Sequence, residues 1–192
     1  MKKSKLFIPF IVTIAFSLIL AASFLLPFAS ATDEYREYLL SYPDAMNLAE
    51  INMTNADSVN ISLLGFIRIY GGSASLGMFS ELGIIYVIII SCIGLFSLFT
   101  LVFAVLKKPV PTIVFTVLSF IVFLMIKWDF TDRGIIPSVT YNWGVSHYIY
   151  YIIPALTLAS AIWLLTIKIK AKKHFAKTAR DGLIQKQDNY EA

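Results

Sequence analysis

The stretch GIIYVIIISCIGLFSLFTLVFAVLKK, residues 83–108, runs directly into PVPTIVFTVLSFIVFLMI, residues 109–126, and together they decide the fold. The apolar parts, Gly83 to Leu106 and Val110 to Ile126, hold no Asp, Glu, Lys, Arg or His. As helices rising about 1.5 Å per residue they extend roughly 36 and 26 Å, which brackets a hydrocarbon core about 30 Å thick. Two lysines and a proline between them leave room only for a tight turn, so the pair forms a membrane hairpin. Outward from it lie two more uncharged runs, Leu6 to Phe28 and Tyr148 to Ile167. With 58% hydrophobic residues in 192, too little polar sequence remains to cover four such helices in water.

Charge sets the expected orientation. Lys2, Lys3 and Lys5 precede the first run, Lys107 and Lys108 fill the hairpin turn, and Lys168, Lys170, Lys172, Lys173, Lys177, Arg180 and Lys186 follow the fourth, making 12 of the 16 basic residues. The opposite side carries Arg36, Arg68, Lys127 and Arg133 among nine carboxylates. The positive-inside rule then places both termini in the cytoplasm of a multi-pass plasma-membrane protein. The net charge of +4 is an insertion signal, and no nucleic-acid partner is expected. The expected divisions are an N-terminus and first span over 1–28, an outer loop over 29–82, spans over 83–106, 110–126 and 148–167, a turn at 107–109, a second outer loop over 127–147 and a basic tail over 168–192. Ala29-Ser30-Ala31 also matches a signal-peptidase site, with cleavage after Ala31. The 23-residue apolar run exceeds the roughly 7–15 residues of a signal core, which favours a retained helix. Cleavage would leave the later spans oriented as before.

The first outer loop mixes periods. Thr32-Asp33-Glu34 offers a helix start, with Tyr35, Tyr38 and Tyr42 following at helical spacing. Ser41-Tyr42-Pro43-Asp44 predicts a second helical turn through Ala45 to Ile51, and Asn52 to Asp57 predicts a loop. Val59, Ile61 and Leu63 alternate with polar residues, which predicts strand through Tyr70, broken at Gly65 as a hairpin or bulge. That edge could close over the helix ends or dock a partner by strand addition. Asn52-Met53-Thr54 and Asn60-Ile61-Ser62 match the glycosylation pattern. The fold class expected is therefore an all-α membrane protein, a four-transmembrane-helix bundle with a long outer loop containing short helical turns and a small β element.

Candidate chemistry is sparse. No ionisable group lies inside any span, which removes the usual equipment of a self-sufficient transporter or proton pump. His147 and His174 have no ligand at metal spacing, and Gly71-Gly72 lacks the lysine of a phosphate loop. No catalytic residue, metal or cofactor is expected; Asp129, Asp132 and His147 form the one outer-face group worth testing for catalysis. Trp128, Trp143, Tyr148 and Tyr151 are expected as interfacial anchors. Lys168, Lys170, Lys172, Lys173 and Lys177 are expected to contact anionic lipid, beyond their stop-transfer role. The chain after Arg180-Asp181-Gly182 is expected to be disordered.

Helix packing is expected at small residues that let backbones approach: Ser17 with Ala21, Ala155 with Ala159, and Ser91, Gly94 and Ser97 on the second span. A face for another subunit is the alternative use of such pairs. Cys92, the single cysteine, is expected to behave as a small apolar side chain.

A first helix ending at Leu26-Pro27-Phe28, the run Ile61 to Phe66, the Lys107-Lys108 turn and the glycine-aromatic stretch Gly144 to Tyr151 together resemble a group of small, largely uncharacterised four-span bacterial membrane proteins. The residue after the proline is often Trp in that group, where this chain has Phe28. The long first outer loop is similar to that of claudin-like tetraspans in topology alone, since the paired loop cysteines and Trp-rich signature are missing. Neither resemblance implies a catalytic residue or ligand. The function expected is non-enzymatic recognition or assembly through the outer loop and helix faces, with the bilayer and a homo-oligomer or larger membrane protein as partners. The alternatives are an accessory or pore-forming subunit of a transporter or channel, and a membrane-embedded enzyme using outer-face Asp and His.

Overall fold

The computed structural model describes residues 4–75 and 80–191, with side chains described over 7–75 and 81–173. Helix α1 (Ser4–Ala22) leads through a 3-10 turn at Ser23–Leu25 into strand β1 (Pro27–Ala31). A cap follows: α2 (Asp33–Ser41), β2 (Met46–Leu48), a 3-10 turn (Ala49–Ile51), β3 (Met53–Thr54), α3 (Asn55–Ser58), β4 (Asn60–Ser62) and α4 (Leu63–Ser75). Then come α5 (Ser80–Val105), α6 (Pro109–Asp132), β5 (Tyr141–Trp143) and α7 (Val145–Glu191). The chain is 78% helical, and four helices are long and apolar enough to cross a membrane. It is an all-α four-helix membrane protein carrying a small β cap.

Helices α1, α5, α6 and α7 close into a ring in which each packs against two others, and α4 lies against α5. Two ring neighbours meet at the lysine turn. Helix α5 ends in a Schellman cap, with Lys107 N–H donating to the Ala104 carbonyl (3.0 Å) and Lys108 N–H to that of Phe103 (2.9 Å). Lys107 takes the left-handed conformation this cap demands (φ 58°), and Pro109 opens α6 where its missing N–H costs nothing.

Buried positions follow a 3-4 alternation on each helix. On α6 they are Pro109, Thr112, Thr116, Ser119, Phe123, Ile126 and Phe130. That period is the seam of left-handed bundle packing at about +20°. Toward the lysine end the seam is mostly small or hydroxylated, with Thr13 and Ser17, Thr100 and Ala104, Thr112 and Thr116, Thr157 and Ala161, and with Leu164 as its bulky member. Toward the cap it is bulky, with Tyr86, Phe123, Phe130 and Tyr150.

That cap end holds a three-stranded antiparallel sheet in the order β4-β1-β5. Ala29 pairs with Ile61 on one side and Trp143 on the other. The strand preceding α2 is therefore central, flanked by partners from the segment between α1 and α5 and from the loop between α6 and α7. Gly144 donates to the Phe28 carbonyl at 2.8 Å, and a Cβ at Gly144 would stand 2.3 Å from the Pro27 oxygen.

Several expected elements differ. The first span stops at Ala22, because Pro27 lacks an N–H for helix continuation and suits a strand start. Ala29-Ser30-Ala31 forms the heart of the sheet, and cleavage after Ala31 would remove its central strand. Ala45 to Ile51 is helical only in its 3-10 turn at Ala49–Ile51: Met46–Leu48 pairs with Met53–Thr54 as a two-stranded ribbon. The expected loop Asn52 to Asp57 holds β3 and α3, fixed by a capping box in which Thr54 Oγ1 accepts from Asp57 N–H and Thr54 N–H donates to Asp57 Oδ2, both at 3.2 Å. Strand ends at Ser62, whose Oγ accepts from Gly65 N–H (3.1 Å) as a helix cap, so Phe66 to Tyr70 is helix rather than hairpin. The turn comprises Leu106 to Lys108, and α6 runs past Ile126 to Asp132 until Gly134 (φ 61°) allows another Schellman cap, Ile135 N–H to the Phe130 carbonyl at 3.0 Å. Helix α7 extends to Glu191. The side chain of Lys177 lies outside the described residues, as do Lys2 and Lys3.

Gly144→Ala should force Pro27 and β5 apart and cost about 1–3 kcal/mol. Thermal unfolding in detergent would show a lowered midpoint with loss concentrated in cap signals; an unchanged midpoint would contradict this packing.

Candidate functional site

The cap end brings together two clusters of aromatic and polar side chains. β1 carries Phe28 down into the bundle mouth, where it is fully buried. Five rings surround it at 5.5 to 6.3 Å between centroids: Phe66, Phe123, Phe130, Trp143 and His147. Most meet it edge-to-face, the favoured arrangement for ring quadrupoles. His147 stacks on Trp143 at 4.4 Å and meets Tyr148 and Tyr151 edge-on. Its Nδ1 is buried without a hydrogen-bond partner.

A second cluster sits between α4, α5 and α6. Tyr86 donates to Asp129 Oδ2 at 2.5 Å, and Arg133 Nε donates to Asp129 Oδ1 at 3.0 Å. The Arg133 guanidinium lies 5.5 Å from the Tyr86 ring centroid, and Tyr70 stacks on the other cluster ring at 4.6 Å. The i,i+4 spacing on α6 aims both Asp129 and Arg133 at α5. Gly83 makes the neighbouring approach possible, since a Cβ there would stand 2.9 Å from the Tyr70 carbonyl oxygen.

Between these clusters lie two adjoining cavities. One of about 300 Å³ is walled by the cap sheet and α4, with Tyr35, Met53, Phe66 and Tyr141 among its lining. The other, of about 280 Å³, is lined by Ser73, Leu82, Tyr86 and Arg133. Ile69, Tyr70 and Ile135 belong to both. Tyr141 donates to the Ser58 carbonyl at 2.9 Å, and burial, reinforced by Tyr35, pushes its phenol up to about 12. Burial likewise raises Tyr70, with Tyr86 and Asp129 adding to it. Both phenols are held neutral, as donors with apolar bodies.

The expected site residues divide. Asp129 is engaged by Tyr86 and Arg133, while His147 belongs to the Phe28 cluster, so Asp129, Asp132 and His147 do not assemble as a group. No set of three or more His, Cys, Asp or Glu side chains able to hold a metal occurs among the described residues. Trp128 and Tyr148 are exposed, Trp128 by 70%, and Tyr151 partly so, positions that lipid headgroups can reach. Trp143 is instead half-buried against Phe28 and His147 and belongs to the cap core, because β5 turns it inward. Lys168 is half-buried, and Lys170, Lys172 and Lys173 are exposed.

Among the packing residues, Ser17 is fully buried on the seam, Ala21 is half-buried, and Ser97 bonds Ser119 across the bundle at 2.8 Å. Gly94 lets the Phe24 ring approach to 3.0 Å of where a Cβ would be. Ser91 does not pack inside: it lines an open apolar groove of about 670 Å³ between α1, α4 and α5. Ala155 and Ala159 are also exposed, because the seam of α7 runs through Pro154, Thr157 and Ala161 instead. The residues missed by sequence reading are Thr112, Thr116 and Ser119 on α6 and Thr157 with Ser160 on α7. Their signal was hydroxyl spacing at three and four within apolar runs.

Comparison with known proteins gave no family model, no curated protein and no solved structure that matches this chain.

Because Tyr141 resists ionisation in the fold, the unfolded chain releases its proton first as pH rises. Cap stability should therefore be intact below pH 10 and decline as pH climbs from there to about 12. Tyrosinate absorbance recorded with near-ultraviolet circular dichroism would test it. Ionisation of all tyrosines near pH 10 without loss of cap signal would contradict it.

Proposed function

We propose that this integral membrane protein is a non-enzymatic recognition protein, held in the plasma membrane with both termini in the cytoplasm, whose outward cap binds an apolar ligand. Orientation rests on the lysines at one end of the bundle and the carboxylates at the other. The single observation that carries the binding role is the pair of cavities sharing Ile69, Tyr70 and Ile135. At about 300 and 280 Å³ they come to the scale of ligand sites, which start near 300 Å³ and are lined mainly by apolar and aromatic groups with few polar ones. Besides the neutral phenols of Tyr70 and Tyr141, the polar lining is Tyr35, Asn47, Ser58, Ser73, Tyr86 and the Arg133 guanidinium, which carries the one charge among them. Since Asp129 already neutralises that guanidinium, an uncharged ligand fits better than an anionic one.

A neutral aromatic probe bearing a diazirine, photolysed with the protein in lipid nanodiscs, should label peptides from residues 46–75 and 129–143. Ile69→Trp fills the shared wall and should lower that labelling about tenfold, equivalent to 1.4 kcal/mol. Labelling spread evenly along the four spans, unchanged by Ile69→Trp, would reject the cap as a binding site.

A further inference from the structure

At the end of the bundle opposite the cap, two elements deliver lysines to one place. The turn between α5 and α6 supplies Lys107 and Lys108, and α7 supplies Lys168 directly after its last apolar stretch. Lys168 Nζ donates to the carbonyl oxygen of Lys107, which fixes its ammonium against the turn. Lys107 turns its own ammonium over the ring of Phe10 on α1, 4.7 Å from the centroid. Three helices therefore hold two cations beside each other. The one ion pair among the described residues is Arg133 with Asp129, so no described carboxylate offsets these lysines. The nine acidic residues within residues 4–173 all fall between Asp33 and Asp132, and each lies in the cap or at that end of the bundle. A glycine would relieve the left-handed backbone at position 107 but would bring no charge.

The surroundings of the lysines are apolar. Leu106, Val110 and Ile169 are exposed beside them, at 56%, 55% and 48%. An occupant that satisfies both the cations and these side chains carries a negative charge joined to hydrocarbon.

We propose that Lys107 and Lys168 clamp the phosphate of an anionic lipid headgroup, while Leu106, Val110 and Ile169 border its acyl chains. A free phosphate would satisfy the ammoniums but leave the apolar border bare. The clamp differs from general attraction of a basic tail to a charged leaflet, because it depends on two lysines from separate elements and little on the others. It rests on the four spans lying in a bilayer and is independent of ligand binding at the cap.

The test uses the full chain purified in neutral detergent, with thermal unfolding followed on addition of phosphatidylglycerol, phosphatidylcholine or glycerol 3-phosphate. Phosphatidylglycerol should raise the midpoint and the other two should leave it nearly unchanged. Lys107→Gln with Lys168→Gln should remove about half or more of that rise, since roughly two of the headgroup's cationic contacts are lost. Lys107→Arg with Lys168→Arg and, separately, Lys172→Gln with Lys173→Gln should retain it. If the double glutamine variant elutes aggregated, Lys168→Gln alone is judged by the same loss. An undiminished rise in the glutamine variant, an equal loss in the Lys172 and Lys173 variant, or an equal rise with glycerol 3-phosphate would each overturn the clamp.

Discussion

The burial of Phe28 is the contact on which the cap depends. A bulky ring on the central strand of a three-stranded sheet enters the mouth of the bundle and is met by side chains from α4, α6, β5 and α7. Backbone pairing would not hold so short a sheet alone, because three strands need an apolar face or a helix to pack against. The ring supplies what hydrogen bonds do not: an apolar plug worth roughly 3–5 kcal/mol by analogy with buried aromatic truncations. With β1 pinned, β4 and β5 acquire an edge on each side, and the α1–α5 and α6–α7 connections become one cap.

The bundle beneath is organised by a different rule. In lipid, burial gains nothing from apolar character, because the outside is as apolar as the inside. What separates seam from surface here is size and hydrogen bonding. Thr13, Ser17, Thr112, Thr116 and Thr157 each donate to a carbonyl one turn earlier, so their hydroxyls enter the core already satisfied. The Ser97 and Ser119 pair adds a contact between helices, of a kind worth about 0.6 kcal/mol on average. The clusters around Phe28 and Tyr86 and both cavities lie at the cap end, while Phe103 and Phe115 stack at 5.4 Å toward the lysine turn.

Some of this was legible in the sequence and some was not, for physical reasons. Uninterrupted apolar runs identify spans because no other solvent accepts them, and Lys107-Lys108-Pro109 marks a turn because an αL cap and an N1 proline are local preferences. The strand at Ile61 was legible for three residues of alternation. It ended where Ser62 capped a helix, a choice made by packing Leu63 and Phe66 on the bundle. Ala155 and Ala159 illustrate the opposite failure: a small-residue pair at the right spacing turned outward, because the adjacent Thr157 and Ala161 filled the seam first. Nor does the spacing of Asp129 and His147 reveal that α6 and α7 send them into separate clusters.

The sequence by itself determined the four spans, the lysine end opposite a carboxylate end, and a tight hairpin between α5 and α6, since hydropathy, charge and turn chemistry act over neighbouring residues. Tertiary structure alone decided that Pro27–Ala31 is a central strand, that Trp143 faces inward and that Tyr70, Tyr86, Asp129 and Arg133 meet. Apart from the i,i+4 pair of Asp129 with Arg133, these outcomes join residues more than fifteen apart through contacts whose energy appears only when the helices have packed. The cavities at the cap and the lysines gathered around Lys107 belong to this second kind, because each is made by side chains from separate elements.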